Sequence, residues 1–358
     1  MTTPLPSDPD GQALSSPGTE LAVATHPLVA QVLVGHLGAG EAADVVASLA
    51  PATWRAYRPA WTRWRLWAHE HGEALLPPSA AATAAWIGWL SDDQALALPS
   101  VRKHVAALAT LVDLAAAFGA LPPDTLRPTE YPRVRRRLNG KARTVRHQPV
   151  AKHALSTDEI VAIVTGLADG GRAHQCRRRR DTAIVLLAFA GAFRRSELAA
   201  LAVADVTFRQ DGYLEIDIRH AKRDQEGHGR TVGIAPGANE TTCPVRALRR
   251  WLDAAGIDTG PVFRPIVARA GGMREFVQPA PLGARSIAQV IKDAAATIGI
   301  DPAGVGGHST RRGHITTAVG AGATDGQIAA TTGQSRATID GYTAARQVTT
   351  NSSKLLGL

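Results

Sequence analysis

The stretch GAFRRSELAAL, from Gly191 to Leu201, sets two arginines, a serine and a glutamate directly after a run of apolar residues. A guanidinium is always charged, and its donors are held in a rigid planar fork that accepts no hydrogen bond. Arg194, at the end of an otherwise core-like helix, therefore needs hydrogen-bond acceptors in whatever lies beside the core. Three other places carry reactive groups. GGHSTRRGHITT puts His308 and Arg311 three residues apart, so both project from one helix face. Lys222 sits in a loop between two strand-like segments, and TIDGYTAARQ offers the phenol of Tyr342. Each has an ordinary reading when taken singly: a buried arginine satisfies a carboxylate, a hairpin lysine is solvated, and a histidine one turn from an arginine is common.

Composition narrows the partners. The chain has 358 residues, 45% hydrophobic and 20% charged, enough for two domains with real cores. A formal charge of +9 favours a polyanion, nucleic acid ahead of an anionic membrane. No apolar run reaches the roughly 18 residues of a membrane span, and the N-terminus lacks a secretion signal. The expected location is cytoplasmic. Cys176 and Cys243 support neither a disulfide framework nor a cysteine-based zinc site, so free thiols, no structural metal and no cofactor are expected.

Four zones must position these groups. Residues 1–27, rich in Pro, Ser, Gly and Thr, read as a disordered leader. Residues 28–130 read as a helical domain, with turn signals at LGAGE, HGEALLPPS and FGALPPD. Residues 131–154 read as a basic linker, in which Arg133, Arg135, Arg136, Arg137, Lys141, Arg143, Arg146 and Lys152 occur without an acid. Ser156 and Glu159 form a capping-box signature, and a second domain runs from there over residues 155–358. In it GYLEIDIRHAKRDQEGHGRTVGIAP alternates Leu214, Ile216 and Ile218 with polar residues, then returns through RTVGI, as a β-hairpin carrying Lys222 does.

Within the first domain, TWRAYRPAWTRWRLWAHEHG places Trp54, Tyr57, Trp61, Trp64 and Ala68 on one helix face, which reads as core. Its arginines lie elsewhere, and Arg55 and Arg58 are expected to face DNA. Pro59 is expected to kink or interrupt this helix.

Taken in order, Arg194 in G-x-x-R-x-S-E-L, Lys222 on the following hairpin, His308-x-x-Arg311 and Tyr342 near the end resemble the tyrosine recombinase (phage integrase) family. The resemblance extends over nearly the whole chain, through the Trp- and Arg-rich helical region, the basic linker, CPVRALRRWLDAAGI and the closing NSSKLLGL. It implies an all-α, SAM-like core-binding domain followed by a mainly α catalytic domain with a small β-sheet or hairpin. It also implies a site-specific DNA recombinase that cuts and rejoins double-stranded DNA through a 3′-phosphotyrosine and a Holliday junction. The partner set would be a homotetramer on two DNA sites, a monomer when free and no membrane, in the cytoplasm of a bacterium and associated with the nucleoid.

The family's residues map onto Arg194, Lys222, His308, Arg311, Gln334 and Tyr342. Arg194 and Arg311 would hold the nonbridging oxygens as charge builds on the phosphorus, without metal. Tyr342 would be the nucleophile, Lys222 the acid for the leaving 5′-oxygen, and Glu197 a support for Arg194. Arg55, Arg58, Arg135, Arg136, Arg137, Lys141 and Arg143 would contact DNA. Where the family has histidine or tryptophan after a glycine, this chain has Gln334 after Gly333, one residue closer to the tyrosine. Two alternatives share these residues: an inert DNA-binding protein of the same fold, and type IB topoisomerase-like nicking and religation.

Overall fold

The structure is a computed structural model that describes residues 17–38, 40–144, 152–168, 174–219, 229–268 and 275–340. It is mostly helical, and the chain divides into two compact units between Pro149 and Val150.

The first unit contains α1 (Pro17–Ala24), α2 (Pro27–Leu33), α3 (Glu41–Ala47), α4 (Pro51–Glu70), α5 (Ala80–Gly88), α6 (Leu98–Ala117) and α7 (Pro132–Thr144). Its core is built on the α4 stripe, where Trp54, Trp61 and Trp64 are buried together with Trp86 of α5 and Leu108 and Leu111 of α6. Three of these indoles also satisfy their one donor inside the unit, whereas Trp86 Nε1 is buried without a partner. Trp61 Nε1 donates to the Ala107 carbonyl at 2.7 Å, Trp64 Nε1 to Leu75 at 2.9 Å and Trp54 Nε1 to Val46 at 2.9 Å.

Three expectations are corrected here. The leader does not extend to residue 27, because Pro17–Ala24 is helical and Leu21 is buried in the core. The apolar sequence LAVA, hidden by its Pro- and Ser-rich approach, supplies that contact. The stretch read as a basic linker folds from Pro132 to Thr144 as α7. Val134 and Leu138, four residues apart, form a narrow apolar seam among the arginines; Val134 is fully buried and Leu138 packs on the same core. Helix α4 also runs on through Pro59, so the interruption that was one of the two outcomes expected there does not occur.

The second unit begins with the expected capping box: Ser156 N–H donates to Glu159 Oε2 at 2.8 Å, and Glu159 N–H to Ser156 Oγ at 3.2 Å. Helices α8 (Thr157–Ala168), α9 (Gln175–Ala190) and α10 (Arg195–Ala200) lead into an antiparallel sheet of β1 (Val206–Phe208), β2 (Leu214–Ile218) and β3 (Arg230–Ile234). Pairing runs from Leu214 opposite Ile234 to Ile218 opposite Arg230, so Leu214, Ile216, Val232 and Ile234 all face the core. Next come α11 (Pro244–Ala255), a second ribbon of β4 (Ile266–Ala268) and β5 (Glu275–Val277), α12 (Ala284–Ala296), α13 (Ser309–Gly320) and α14 (Asp325–Thr332). The core joins Ile184 and Leu187 of α9 to Leu248 and Trp251 of α11 and Ile287 and Ile291 of α12.

Two glycine-dependent features seat the chemistry. A Cβ on Gly313 would lie 1.8 Å from the Leu155 carbonyl, so α13 can pack against the entry to α8 only with glycine there. At the end of α9, Gly191 leaves room for the buried Phe193 ring, and Ala192 takes a φ of 47° to turn the chain toward Arg194.

Candidate active site

Arg194 occupies the N-cap position of α10. Its backbone N–H donates to Glu197 Oε2 at 2.8 Å and its Nη1 to Glu197 Oε1 at 2.5 Å. The Glu197 side chain is 2% exposed, and an ionised carboxylate at that depth needs several donors. Arg230, the first residue of β3, provides another through Nη2 at 3.2 Å from Oε2. Nε and Nη2 of Arg194 have no partner among the described residues.

Arg311, in the first turn of α13, is 2% exposed, and two of its donors meet backbone carbonyls. Its Nη1 donates to the Ala192 carbonyl at 2.6 Å and its Nη2 to the Thr332 carbonyl. The neighbouring Thr331 carbonyl accepts from Arg230 Nη1. Two guanidiniums therefore hold consecutive carbonyls at the C-terminus of α14, where unpaired carbonyls and the helix dipole both favour cations.

These contacts close a ring. It runs from Ala192 to Arg311, across α14 by Thr332 and Thr331 to Arg230, then through Glu197 to Arg194, two residues from its start. The ring fixes the α9–α10 turn, α13, α14 and β3 around three arginines and one carboxylate. Burial pulls the Arg230 guanidinium below its ordinary pKa and the charge of Arg194 adds to this, while Glu197 opposes both.

Gln334 hangs from the same turn. Gly333 ends α14 in the left-handed region at φ 61°, the conformation a helix C-cap asks of glycine. The Gln334 N–H then donates to Thr332 Oγ1 at 3.2 Å, and its side-chain Oε1 is buried without a hydrogen-bond partner. Arg336, by contrast, is 82% exposed and pairs with Asp325. Ile339 is fully buried against Ile315, Val319 and Ile328, anchoring the chain three residues before Tyr342.

His308 and Arg311 part ways. His308 is the exposed N-cap residue of α13, whereas Arg311 turns inward. Beside them, Arg312 donates to the Lys152 carbonyl at 3.3 Å. His314 lies edge-on to Phe189, and burial lowers its pKa from the ordinary value. Lys222 and Tyr342 lie outside the described residues.

No family model matches the chain. A curated relative, an integrase/recombinase XerD homolog of Selenomonas ruminantium, is 32% identical over 271 residues, 76% of this chain and 74% of the relative. The chain belongs to the tyrosine recombinase family. Among solved structures, the XerH site-specific recombinase, in a post-cleavage complex with a palindromic difH substrate, gives a TM-score of 0.60 at 11% identity, covering 96% of this chain and 97% of that one. A lambda integrase dimer bound to a COC′ core site gives 0.52 at 15% identity, covering 93% and 81%. These likenesses show the fold, mostly helical with a small antiparallel sheet. The protein is accordingly a site-specific recombinase of the tyrosine type.

The recombinase carries its expected DNA-facing residues on the first unit. Arg55 is exposed on α4, and Arg135, Arg136 and Arg143 are exposed on α7. Arg58 differs: its Nε and Nη2 donate to the carbonyls of Thr25 and Val23 at the end of α1. The Arg137 guanidinium lies over Gly88 and Lys141 pairs with Asp92, so both also brace the fold. Arg230 is the residue that motif reading missed. Its signal was alternation: in RTVGI it shares a face with Val232 and Ile234, which are buried.

Proposed function

We propose that the ring of Arg194, Glu197, Arg230 and Arg311 is the phosphate-holding half of the recombination site. Arg194 and Arg311 bind the nonbridging oxygens of a scissile phosphodiester. The Tyr342 oxygen attacks phosphorus, the bond to the 5′-oxygen breaks, and a 3′-phosphotyrosine forms. Lys222 gives the departing 5′-oxygen its proton, and His308, exposed at the head of α13, accepts the proton of the tyrosine or bonds the phosphate. Glu197 orients Arg194. The Gln334 amide, whose Oε1 is buried without a partner, supplies a further hydrogen bond to the phosphate, since turning it over presents Nε2 in place of Oε1. What supports this reading is the closed ring, which preorganises permanent positive charge at no cost during reaction.

In this reading the first unit is the core-binding domain, the second is the catalytic domain, and Arg55, Arg135, Arg136 and Arg143 contact the duplex backbone. Protomers are monomeric when free and act as a homotetramer on two DNA sites, exchanging strands in pairs through a Holliday junction. The work takes place on the bacterial nucleoid. Among the described residues no helix is long and apolar enough to cross a membrane.

The deciding experiment is covalent capture on nicked duplexes drawn from a random-sequence pool. Wild type forms an adduct that survives denaturation, and Tyr342→Phe binds the recovered sequence equally but forms none. Binding without adduct from wild type would leave an inert DNA-binding protein. Lys222→Ala cleaves slowly and recovers on a 5′-bridging phosphorothiolate, whose sulfur leaves without a proton.

A further inference from the structure

We infer that Arg230 is a positioning residue for strand cleavage, one that holds Glu197 so that Arg194 stays open to the phosphate. The inference rests on the catalytic reading above.

Arg230 stands where the strand pattern calls for an apolar side chain. It shares its face of β3 with Val232 and Ile234, pairs with Ile218 across the hairpin, and its side chain is only 13% exposed. A long cation in that position is costly to bury unless its donors meet acceptors. Two are met, and they lie on different elements: the Glu197 carboxylate at 3.2 Å and the Thr331 carbonyl of α14. The stem lies against the turn that precedes Gln334, for a Cβ on Gly333 would stand 3.1 Å from both Cδ and Nε of Arg230. Glycine at 333 is thus favoured twice, by its left-handed φ and by this approach. Arg230 Nε and Gln334 Oε1 are both buried and unpartnered.

This placement controls how Glu197 engages Arg194. A carboxylate and a guanidinium left to themselves pair through two parallel hydrogen bonds. Here Arg194 Nη1 reaches only Oε1, while Oε2 is held by the Arg194 backbone N–H and by Arg230 Nη2. Arg230 thereby stops Glu197 from closing on both side-chain nitrogens of Arg194. Without Arg230, the carboxylate can draw in a second nitrogen of Arg194 and withdraw it from the phosphate. The second bond, to Thr331, fixes the α14 terminus from which Gln334 hangs. Lysine cannot replace this action, because one ammonium on a flexible stem does not span two elements as a planar fork does.

The test measures single-turnover cleavage on a nicked duplex recovered by covalent capture with wild type. Dissociation constants and melting temperatures are measured alongside, for wild type, Arg230→Met, Arg230→Lys, Glu197→Gln and the Met/Gln double variant. Arg230→Met is expected to slow the cleavage rate constant about 10- to 100-fold with the dissociation constant within about twofold, the size of a lost bond to a charged group. Arg230→Lys is expected to lie between Met and wild type. The double variant is expected to cleave no more slowly than the slower single variant, since with Glu197 neutral there is less to hold away from Arg194. Unchanged rate constants with lost amplitude and lowered melting would reduce Arg230 to scaffolding and overturn the inference, as would additive losses in the double variant. If Arg230→Met does not fold, a wild-type rate constant from Arg230→Lys overturns it equally. Failure of the catalytic reading looks different: wild type would then bind without forming an adduct, or Tyr342→Phe would form the same adduct as wild type.

Discussion

In the first unit the side chains that fill the interior are the indoles of Trp54, Trp61, Trp64 and Trp86, and arginines such as Arg55, Arg135 and Arg136 stay at the surface. In the second unit Arg311 is as deeply buried as those indoles, and Arg194 and Arg230 are 15% and 13% exposed. An indole brings a large apolar area and one donor, so it stabilises wherever that donor finds a carbonyl. A guanidinium in the same depth of protein is costly unless most of its donors meet acceptors. The second unit therefore accepts an electrostatic cost that the first avoids, and in return keeps positive charge fixed at one place. The first unit thus buries its largest side chains as indoles, and the second adds deeply buried arginines beside its one buried indole, Trp251.

The sharpest way to break this contrast is to exchange one large residue from each side. Trp61→Ala is expected to cost the first unit about 3–5 kcal/mol in denaturant melts, leaving the cleavage rate constant of the folded fraction unchanged. Arg311→Met is expected to lower that rate constant by about 10²- to 10³-fold, the loss seen when a donor to a developing oxyanion is removed. Equal effects of both on cleavage would dissolve the distinction.

Gln334 tests how far the ring extends. With its amide oxygen buried and unpartnered, Gln334→Ala is expected to lose about 1–3 kcal/mol of transition-state stabilisation, roughly 10- to 150-fold in single-turnover cleavage, with little change in binding. Gln334→His is expected to be neutral or faster. Arg336, exposed and paired with Asp325, is expected to tolerate alanine at wild-type rate.

A titrating group marks the first unit. His26 is the N-cap of α2: its Nδ1 accepts the Leu28 N–H at 3.0 Å and its Nε2 bonds Thr62 Oγ1 at 2.9 Å. Burial lowers its pKa from 6.5 to about 4, with the charges of Arg65 and Arg58 adding to this. The unfolded chain thus takes up this proton first, so the contribution is whole above the unfolded value of 6.5 and is lost as pH falls toward 4. Asparagine keeps an N-cap acceptor without titrating. Wild type is expected to lose a few degrees of melting temperature more than His26→Asn over that pH range. Parallel melting curves would show that the ring does not titrate there.

The contrast was only half legible in the sequence. The α4 stripe could be read because helical periodicity records burial of whole side chains. The capping box at Ser156 and the hairpin around Ile216 were legible for the same reason, their partners being a few residues away or fixed by alternation. The ring was not, because most of its acceptors are the backbone carbonyls of Ala192, Thr331 and Thr332, which every residue type carries. Arg194 and Arg311 were reached through their motifs instead, and Arg230 went unnoticed although its alternation with Val232 was visible. Helix α7 failed for the opposite reason: the charges of its arginines drew attention from Val134 and Leu138.

The smallest expected effect separates two arginines three residues apart on α4. Arg55 is exposed, while Arg58 has two donors on the carbonyls of Thr25 and Val23, which the end of α1 leaves without helical partners. If surface arginines of the first unit meet phosphates, Arg55→Ala lowers the slope of log affinity against log salt by about 0.9, the counterions released by one contact. Arg58→Ala is expected to leave that slope unchanged and instead to destabilise the unit by about 1–2 kcal/mol, the worth of charge-assisted bonds at a partly exposed site. Affinity at several salt concentrations and a denaturant melt on each variant give both numbers. A slope change from Arg58→Ala with no loss of stability would return that residue to the DNA-facing set, and would show that the first unit, like the second, builds its binding surface from arginines already committed to the fold.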